Sequence, residues 1–263
     1  MKNIEVIVLN EAHSNPQGMM RFLASLTQKG HTIKNAKVLK VMYDKFISTK
    51  NDKFASSMID LPHGTIKRFM PITIAIVGAS RRFLAQARTN QVGIDYLSAS
   101  LQYSDYSDDA GFVVPYEITN ADFEAADKTR PYTKTFLEKC KYDSEYYAHM
   151  VHVAGFSNDT AGYAMNQAMR NVLVMQGNHQ AWDYFLRLRS CNRNTEETQY
   201  VATKIWETLL YTEDGQVFFG KCGADCMHGG KCREGKMCCG NPILQTSPIE
   251  VIRDKWPLLL EVK

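Results

Sequence analysis

The side chains best suited to binding chemistry fall in two places. The first is QARTNQVGIDYLSASLQYSD, residues 86–105, where Gln86 and Arg88 precede a strand-like apolar run and then Ser98-Ala99-Ser100-Leu101-Gln102. An arginine offers a bidentate fork to an anion, and serine hydroxyls with exposed backbone N–H groups complete a cradle around it. Small residues let the backbone come close. The same residues also suit a strand that turns into a loop, with its serines bonded locally. Residue types alone leave both readings open.

The second place is CGADCMHGGKCREGKMCC, residues 222–239, which holds five of the seven cysteines. Cys222, Cys226, Cys232, Cys238 and Cys239, with His228 among them, supply enough thiolates for a tetrahedral site. The interspersed glycines would let such a loop wrap an ion. Clustered thiols in a chain without a secretion signal favour metal over disulfides. Zinc is the first expectation, an iron–sulfur cluster the second, and reduced free thiols the alternative. A structural clamp for a tail with little core of its own is the modest role. Cys140 and Cys191 stand alone and read as core residues.

The bulk properties set wide limits. The chain has 263 residues, 44% hydrophobic and 22% charged, ordinary values for a globular protein. A formal charge of +3 is too small to argue for a nucleic-acid or membrane partner. No run approaches the roughly eighteen apolar residues of a membrane span. The opening MKNIEVIVLNEAHSN has no signal-peptide pattern, so a cytoplasmic protein is expected.

These chemical groups need elements to carry them. NIEVIVLN reads as a strand, MMRFLASLTQKG as a helix stopping at Gly30, and residues 33–59 as mixed helix. The β-branched RFMPITIAIVGAS predicts a buried strand, and RRFLAQARTNQ a helix after it. Residues 130–173 read as helix-rich, with one helix running to Gly155. A second is expected over SNDTAGYAMNQAMRNVLVM, capped by Ser157. AWDYFLRLRS and TEETQYVATKIWETLLY continue the helical pattern. This order predicts an α+β fold, divided as a catalytic domain over 1–215 and a cysteine-rich metal-binding tail over 216–263.

Three segments, in order, resemble the flavin-dependent thymidylate synthases, the ThyX-type family. Within residues 63–105, His63, Thr65, Thr73, Gly78, Ser80, Arg81, Gln86, Arg88, Ser100 and Tyr103 match the family pattern. AMRNVLVM resembles the family's ARxVLP and puts Arg170 on its arginine. NHQAWDYFLRLRSCNRNTEET resembles NxRxLxHFLxLRxxxxAQxE, with Asn178, Phe185, Leu186, Leu188, Arg189 and Glu197 in place. The departures are specific. The family's Arg-His-Arg is Arg88-Thr89-Asn90 here, its Asn, Glu and final Arg are Leu97, Ser98 and Gln102, and a flavin-holding His is Phe69.

The resemblance implies a central, mostly antiparallel sheet with long helices, and a homotetramer with sites at subunit interfaces. It implies C5 methylation of dUMP to dTMP, with methylene-tetrahydrofolate giving carbon, reduced FAD giving hydride, NADPH as reductant, and no cysteine nucleophile. By resemblance, Gln86, Arg88, Ser98, Ala99, Ser100, Leu101, Gln102, Arg170 and Arg189 bind the pyrimidine nucleotide. The loop then becomes a phosphate cradle. Arg189 is the catalytic candidate, placed to stabilise charge developing on the ring. Arg88, Thr89, Asn90, Asn178 and His179 are expected at the flavin. The altered signature leaves two further readings: C5 modification of another pyrimidine nucleotide, such as hydroxymethylation, and a non-catalytic nucleotide-binding protein.

Overall fold

The computed structural model describes residues 4–11, 15–30, 33–50, 53, 57, 67–108, 110–126 and 128–261. His63 and Thr65 lie outside them. Four strands form one sheet: β1 (Glu5–Glu11), β2 (Pro71–Ser80), β3 (Ile94–Ser98) and β4 (Arg170–Asn178), in the order β1-β2-β4-β3. Every pairing is antiparallel, as expected.

Alternation along the strands gives the sheet two unlike faces. On the inner face Ile74 lies opposite Met175 and Ile76 opposite Leu173, all four fully buried. On the outer face Val77 lies opposite Val172 and Leu97 opposite Val174. Here Val77, Val172 and Leu97 remain exposed, together with Ile7 of β1.

β4 corrects one expectation. The run AMRNVLVM continues no helix; from Arg170 its burial alternates residue by residue as a strand. Short apolar runs do not separate the two periods by themselves, and pairing with β2 decides this one. Ser157 does cap a helix, its Oγ accepting the N–H of Thr160 at 3.2 Å, but that helix covers only Asn158–Ala161.

The helices in chain order are α1 (Pro16–Lys29), α2 (Ala36–Ile47), α3 (Arg81–Arg88), α4 (Tyr116–Glu124), α5 (Pro131–His152) and α6 (Asn158–Ala161). After β4 come α7 (His179–Arg189), α8 (Glu196–Leu210), α9 (Gly215–Phe219), α10 (Pro248–Lys255) and α11 (Leu258–Glu261). Phe83, Trp182, Phe185, Ile205 and Trp206 bring α3, α7 and α8 onto the inner sheet face, where all five are fully buried. Aromatic side chains of this size dominate core energetics.

Phe218, Phe219, Cys222, Met227, Ile243, Val251 and Trp256 belong to that same core. The Trp206 indole N–H donates to the Phe219 carbonyl at 2.7 Å, and Trp256 meets Tyr200 edge-on at 5.2 Å. The segment from 216 onward therefore packs as a continuation of the main core.

Candidate active site

The sheet and α3 together place the candidate loop. Ser80 ends β2 and caps α3, its Oγ accepting the Phe83 N–H at 3.1 Å. Glu197, at the start of α8, holds that junction: its carboxylate accepts the Ser80 N–H at 2.7 Å and the Ser80 hydroxyl. Burial raises the Glu197 pKa, against the lowering effect of the Ser80 hydrogen bonds. At the other end of α3, Arg88 donates to Ser98 Oγ at 2.5 Å. β3 ends at Ser98, and the next residue stays tied to β4, with the Ala99 N–H on the Val172 carbonyl at 3.1 Å. The Asn171 amide caps the Ala99 carbonyl at 3.2 Å.

The result is a cavity of about 650 Å³ whose wall contains Arg81, Arg88 and the whole run Ser98–Gln102. Six of the nine expected nucleotide residues thus meet in one place. The cavity sets guanidinium groups beside hydroxyls and a loop of small residues, the donor set an anion requires.

The other three lie elsewhere. Gln86 does not line this cavity: its Oε1 accepts the hydroxyls of Thr195, at 2.7 Å, and Thr198, which pins α3 to the start of α8. Arg170 begins β4, with its N–H on the Gly111 carbonyl at 2.8 Å. Its side chain lies against Gly111, and its buried Nε has no partner. Arg189 donates to Thr89 Oγ1 at 2.6 Å and to Asn194 Oδ1 at 3.3 Å, and its buried Nε also lacks a partner. Burial lowers the Arg189 pKa, and Tyr96 and Tyr184 oppose that shift. A partly desolvated guanidinium with an unused N–H is suited to stabilising negative charge as it develops. Arg187, two residues away, pairs with Asp183 at 2.6 Å instead. Only Arg189 of the two reaches the Thr89 side.

The residues expected at the flavin separate. Asn178 caps α7, its Oδ1 accepting the Ala181 N–H at 3.0 Å. Thr89 receives Arg189, as above. Asn90 is buried; its carbonyl accepts the Tyr96 hydroxyl at 2.6 Å and its Nδ2 has no partner. Burial pushes the Tyr96 phenol up to about 12.

His179 departs from expectation. Its ring is buried between Phe218 and Phe219, with Nε2 on the Phe218 carbonyl and Nδ1 without a partner. Burial lowers its pKa. The residue contributes to the wall of a second cavity of about 600 Å³, but the ring is anchored in the core. Lys67, Arg68, Tyr184 and Arg187 also face that cavity, at the N-terminal end of α7. Cationic side chains beside a helix N-terminus fit an anionic group such as a diphosphate.

The structure does not bring all five expected cysteine ligands to one point. Among the described residues no three of His, Cys, Asp and Glu are grouped to hold a metal ion. Cys222 is buried and donates to Asp183 Oδ1 at 3.3 Å, with burial holding its pKa well above the ordinary thiol value. Cys226 accepts the Ile243 N–H at 3.4 Å, Cys238 that of Gly240 at 3.5 Å, and Cys239 that of Asn241 at 3.4 Å. Cys232 donates to Cys238. Only part of the set comes together: Cys222 belongs to the core, whereas Cys238 interacts with both Cys232 and Cys239, and Cys191 lies near Cys226 and Cys239.

Sequence reasoning assigned no role to Arg81, Asp159 or Tyr163, which also line this cavity. Arg81 sat in a matched motif. Asp159 and Tyr163 carried no local signal, since only the fold brings α6 against the loop. Among the described residues no helix is long and apolar enough to cross a membrane.

Known proteins share this organisation. The flavin-dependent thymidylate synthase of Thermococcus onnurineus is 27% identical over 180 residues, covering 66% of this chain and 69% of that protein. Thymidylate synthase X of Helicobacter pylori, solved with FAD and dUMP, has a similar fold at 16% identity. The TM-score is 0.57, over 82% of this chain and 97% of that one. The UMP/dUMP methylase PolB of Streptomyces cacaoi, solved with 5-Br dUMP, superposes with a TM-score of 0.59 at 14% identity. It covers 83% of this chain and 96% of that one. Residues 9–211 match the family described as Thymidylate synthase complementing protein, and the chain belongs to that family.

Proposed function

We propose that this chain is an enzyme that modifies C5 of a pyrimidine nucleoside monophosphate, in the family reaction dUMP to dTMP. The observation that carries this reading is the single cavity formed by Arg81, Arg88 and Ser98–Gln102. Arg88 and the loop N–H and hydroxyl groups hold the phosphate. Arg189 stabilises charge that develops on the pyrimidine ring as C5 becomes nucleophilic. Its Thr89 and Asn194 contacts fix the guanidinium plane before substrate arrives. Glu197 acts at one remove, by fixing the strand-to-helix junction from which Arg81 starts.

The second cavity supports a flavin reading, with Arg68, Arg187 and the first turn of α7 facing the FAD diphosphate. Bound and reduced with NADPH, FAD would supply hydride, and methylene-tetrahydrofolate the carbon. Asn90 is buried and the exposed Thr89 hydroxyl is taken by Arg189, which favours a second reading: C5 modification, such as hydroxymethylation, of a different pyrimidine nucleotide. The exposed apolar outer sheet face, with Ile7, Val77, Leu97 and Val172, supports assembly into a homotetramer; an apolar patch of this kind marks an interaction surface. Sedimentation showing only monomer would remove that part.

The deciding experiment incubates purified protein with FAD, NADPH and methylene-tetrahydrofolate, offering dUMP and dCMP separately, and identifies products by mass. Thymidylate from dUMP is expected. Modified dCMP with untouched dUMP would establish the second reading. No product from either, in a protein that still binds nucleotide, would leave a binding protein.

A further inference from the structure

The cysteines that gather are not the five that spacing suggests. Cys191, in the loop between α7 and α8, has Cys226 and Cys239 as electrostatic neighbours, and Cys232 has Cys191 among its own. Cys222 stays apart, with its thiol on Asp183. Cys238 touches the group at its edge, through Cys232 and Cys239. Two segments distant in sequence are tied together here. The Asn192 amide donates to the Asn241 carbonyl at 2.7 Å, and the Arg193 guanidinium donates to the Met237 carbonyl. Lys255 reaches in from α10, its ammonium donating to Gln199 Oε1 at 2.9 Å and to Asn192 Oδ1. The same ammonium has Cys191, Cys226 and Cys239 as neighbours. Cys191 and Cys226 pack against the main core, which gives the group a fixed base.

Each of the gathered sulfurs accepts a backbone N–H. Cys191 takes that of Arg193, Cys232 that of Glu234 and Cys239 that of Asn241, in each case from the residue two positions on. Cys226 takes that of Ile243. A neutral thiol sulfur is a weak acceptor, whereas the thiolate gains from such bonds and is the form that ligates metal. Thiolates crowded into one region repel one another. A divalent cation among them removes that repulsion, and Lys255 and Arg193 offset the negative charge that four thiolates leave over. Among the described residues the sulfurs do not stand at the spacing of ligands on one ion, so binding draws them inward. Gly235 and Gly240, both at positive φ, hinge the loop that carries Cys232 and Cys239. An all-sulfur set selects a thiophilic ion over a hard one, and a closed set of four is the structural form of a zinc site.

We propose that Cys191, Cys226, Cys232 and Cys239 form a structural zinc site that clamps the tail to the loop between α7 and α8. Cys191 takes the place expected for Cys222, and Cys238 is left out. The clamp braces the loop in which Asn194 accepts from Arg189; that consequence rests on the functional reading of Arg189, whereas the zinc assignment does not. The test is metal analysis of the full chain purified under reducing conditions, with cysteine alkylation mapped by mass spectrometry with and without a chelator. About one zinc per chain is expected. Zinc should shield Cys191, Cys226, Cys232 and Cys239, chelation should expose them, and Cys238 should react in both states. The wild type alone thus decides the ligand set even where a variant fails to fold. Cys191→Ser should lose most of the zinc, and Cys238→Ser should keep it. Wild type that holds no zinc, even after dialysis against zinc, would overturn the site. So would Cys191 alkylated equally with and without chelator, or zinc lost on Cys238→Ser and kept on Cys191→Ser. Iron with acid-labile sulfide in place of zinc would overturn the ion assigned and make the group a cluster.

Discussion

The loop Ser98–Gln102 and the segment Cys222–Gly240 are both small-residue stretches dense in polar atoms, and they are held in different ways. The first hangs from a strand. β3 pairs with β4 up to Ser98, the Ala99 N–H continues that ladder, and Arg88 reaches across from α3. The second is hinged on glycines: Gly223, Gly229, Gly235 and Gly240 all have positive φ, a conformation glycine adopts without steric cost. Gly223 is required there twice over, since a Cβ would also meet Met227 and Trp206. A strand-anchored loop presents its groups in one direction. A glycine-hinged one lets its sulfurs settle on nearby backbone amides and on one another. Sequence density of functional groups becomes a site only where the backbone is constrained to face them together.

If this contrast is right, perturbing the anchored region should damage function far more than perturbing the hinged one. The largest effect is expected at Arg189. Arg189→Ala should lower turnover by roughly 100- to 1,000-fold, the usual consequence of removing one charge-stabilising donor, with nucleotide affinity much less affected. Steady-state rates beside nucleotide titration separate the two. A rate within threefold of wild type would end its candidacy. Arg88→Ala comes next. Losing its charge-assisted bonds should weaken nucleotide binding by about ten- to a hundredfold, equivalent to about 1.5–3 kcal/mol. A variant that binds as wild type does would mean that Arg88 serves only to brace Ser98.

Much of this anchored site was legible before any coordinates. The β-branched run Ile72–Val77, the Ser80 cap and the motif around Arg88 gave β2, α3 and the loop, because their signals are local. What stayed hidden was decided by distant residues. Arg170–Asn178 reads as helix or strand until β2 supplies its partner. Gln86 and Asn178 carry polar groups suited to a ligand, yet Thr195 and the first turn of α7 claim them. His179 sits in a matched motif, but the Phe218 carbonyl draws its ring inward. Asp159 reaches the cavity only through the packing of Gly162 on Leu101.

The cysteine segment offers a contrast within itself. Cys222 lies in the core, whereas Cys238 and Cys239 are exposed. Cys222→Ala should cost about 1–2 kcal/mol, from the small cavity and the lost partner of Asp183, seen as a lower unfolding midpoint in urea. Cys238→Ser should shift the midpoint by less than about 0.5 kcal/mol, as surface changes generally do. Equal losses at both positions would show the segment to be one cooperative unit, and the contrast between hinged and anchored chain would weaken. Metal analysis of the same samples bears on the thiols directly: stoichiometric zinc or iron lost on Cys238→Ser would mean that an ion draws the sulfurs together.

The smallest expected effect concerns pH and the inward turn of His179. Its pKa is lowered below the ordinary 6.5 by burial, with the Phe218 hydrogen bond opposing. The unfolded chain therefore binds a proton more readily than the folded one between the folded value and 6.5. In that window stability must fall as pH falls. Above it the imidazole is neutral in both states and contributes no slope. Urea midpoints measured from neutral pH down through the window should decline for wild type. In His179→Phe, which keeps an aromatic ring between Phe218 and Phe219, that part of the decline should vanish, whatever the variant loses uniformly from the missing Phe218 hydrogen bond. An unchanged slope would place the titration in another group, and would reopen the second cavity to a His179 ring that faces outward when a ligand binds.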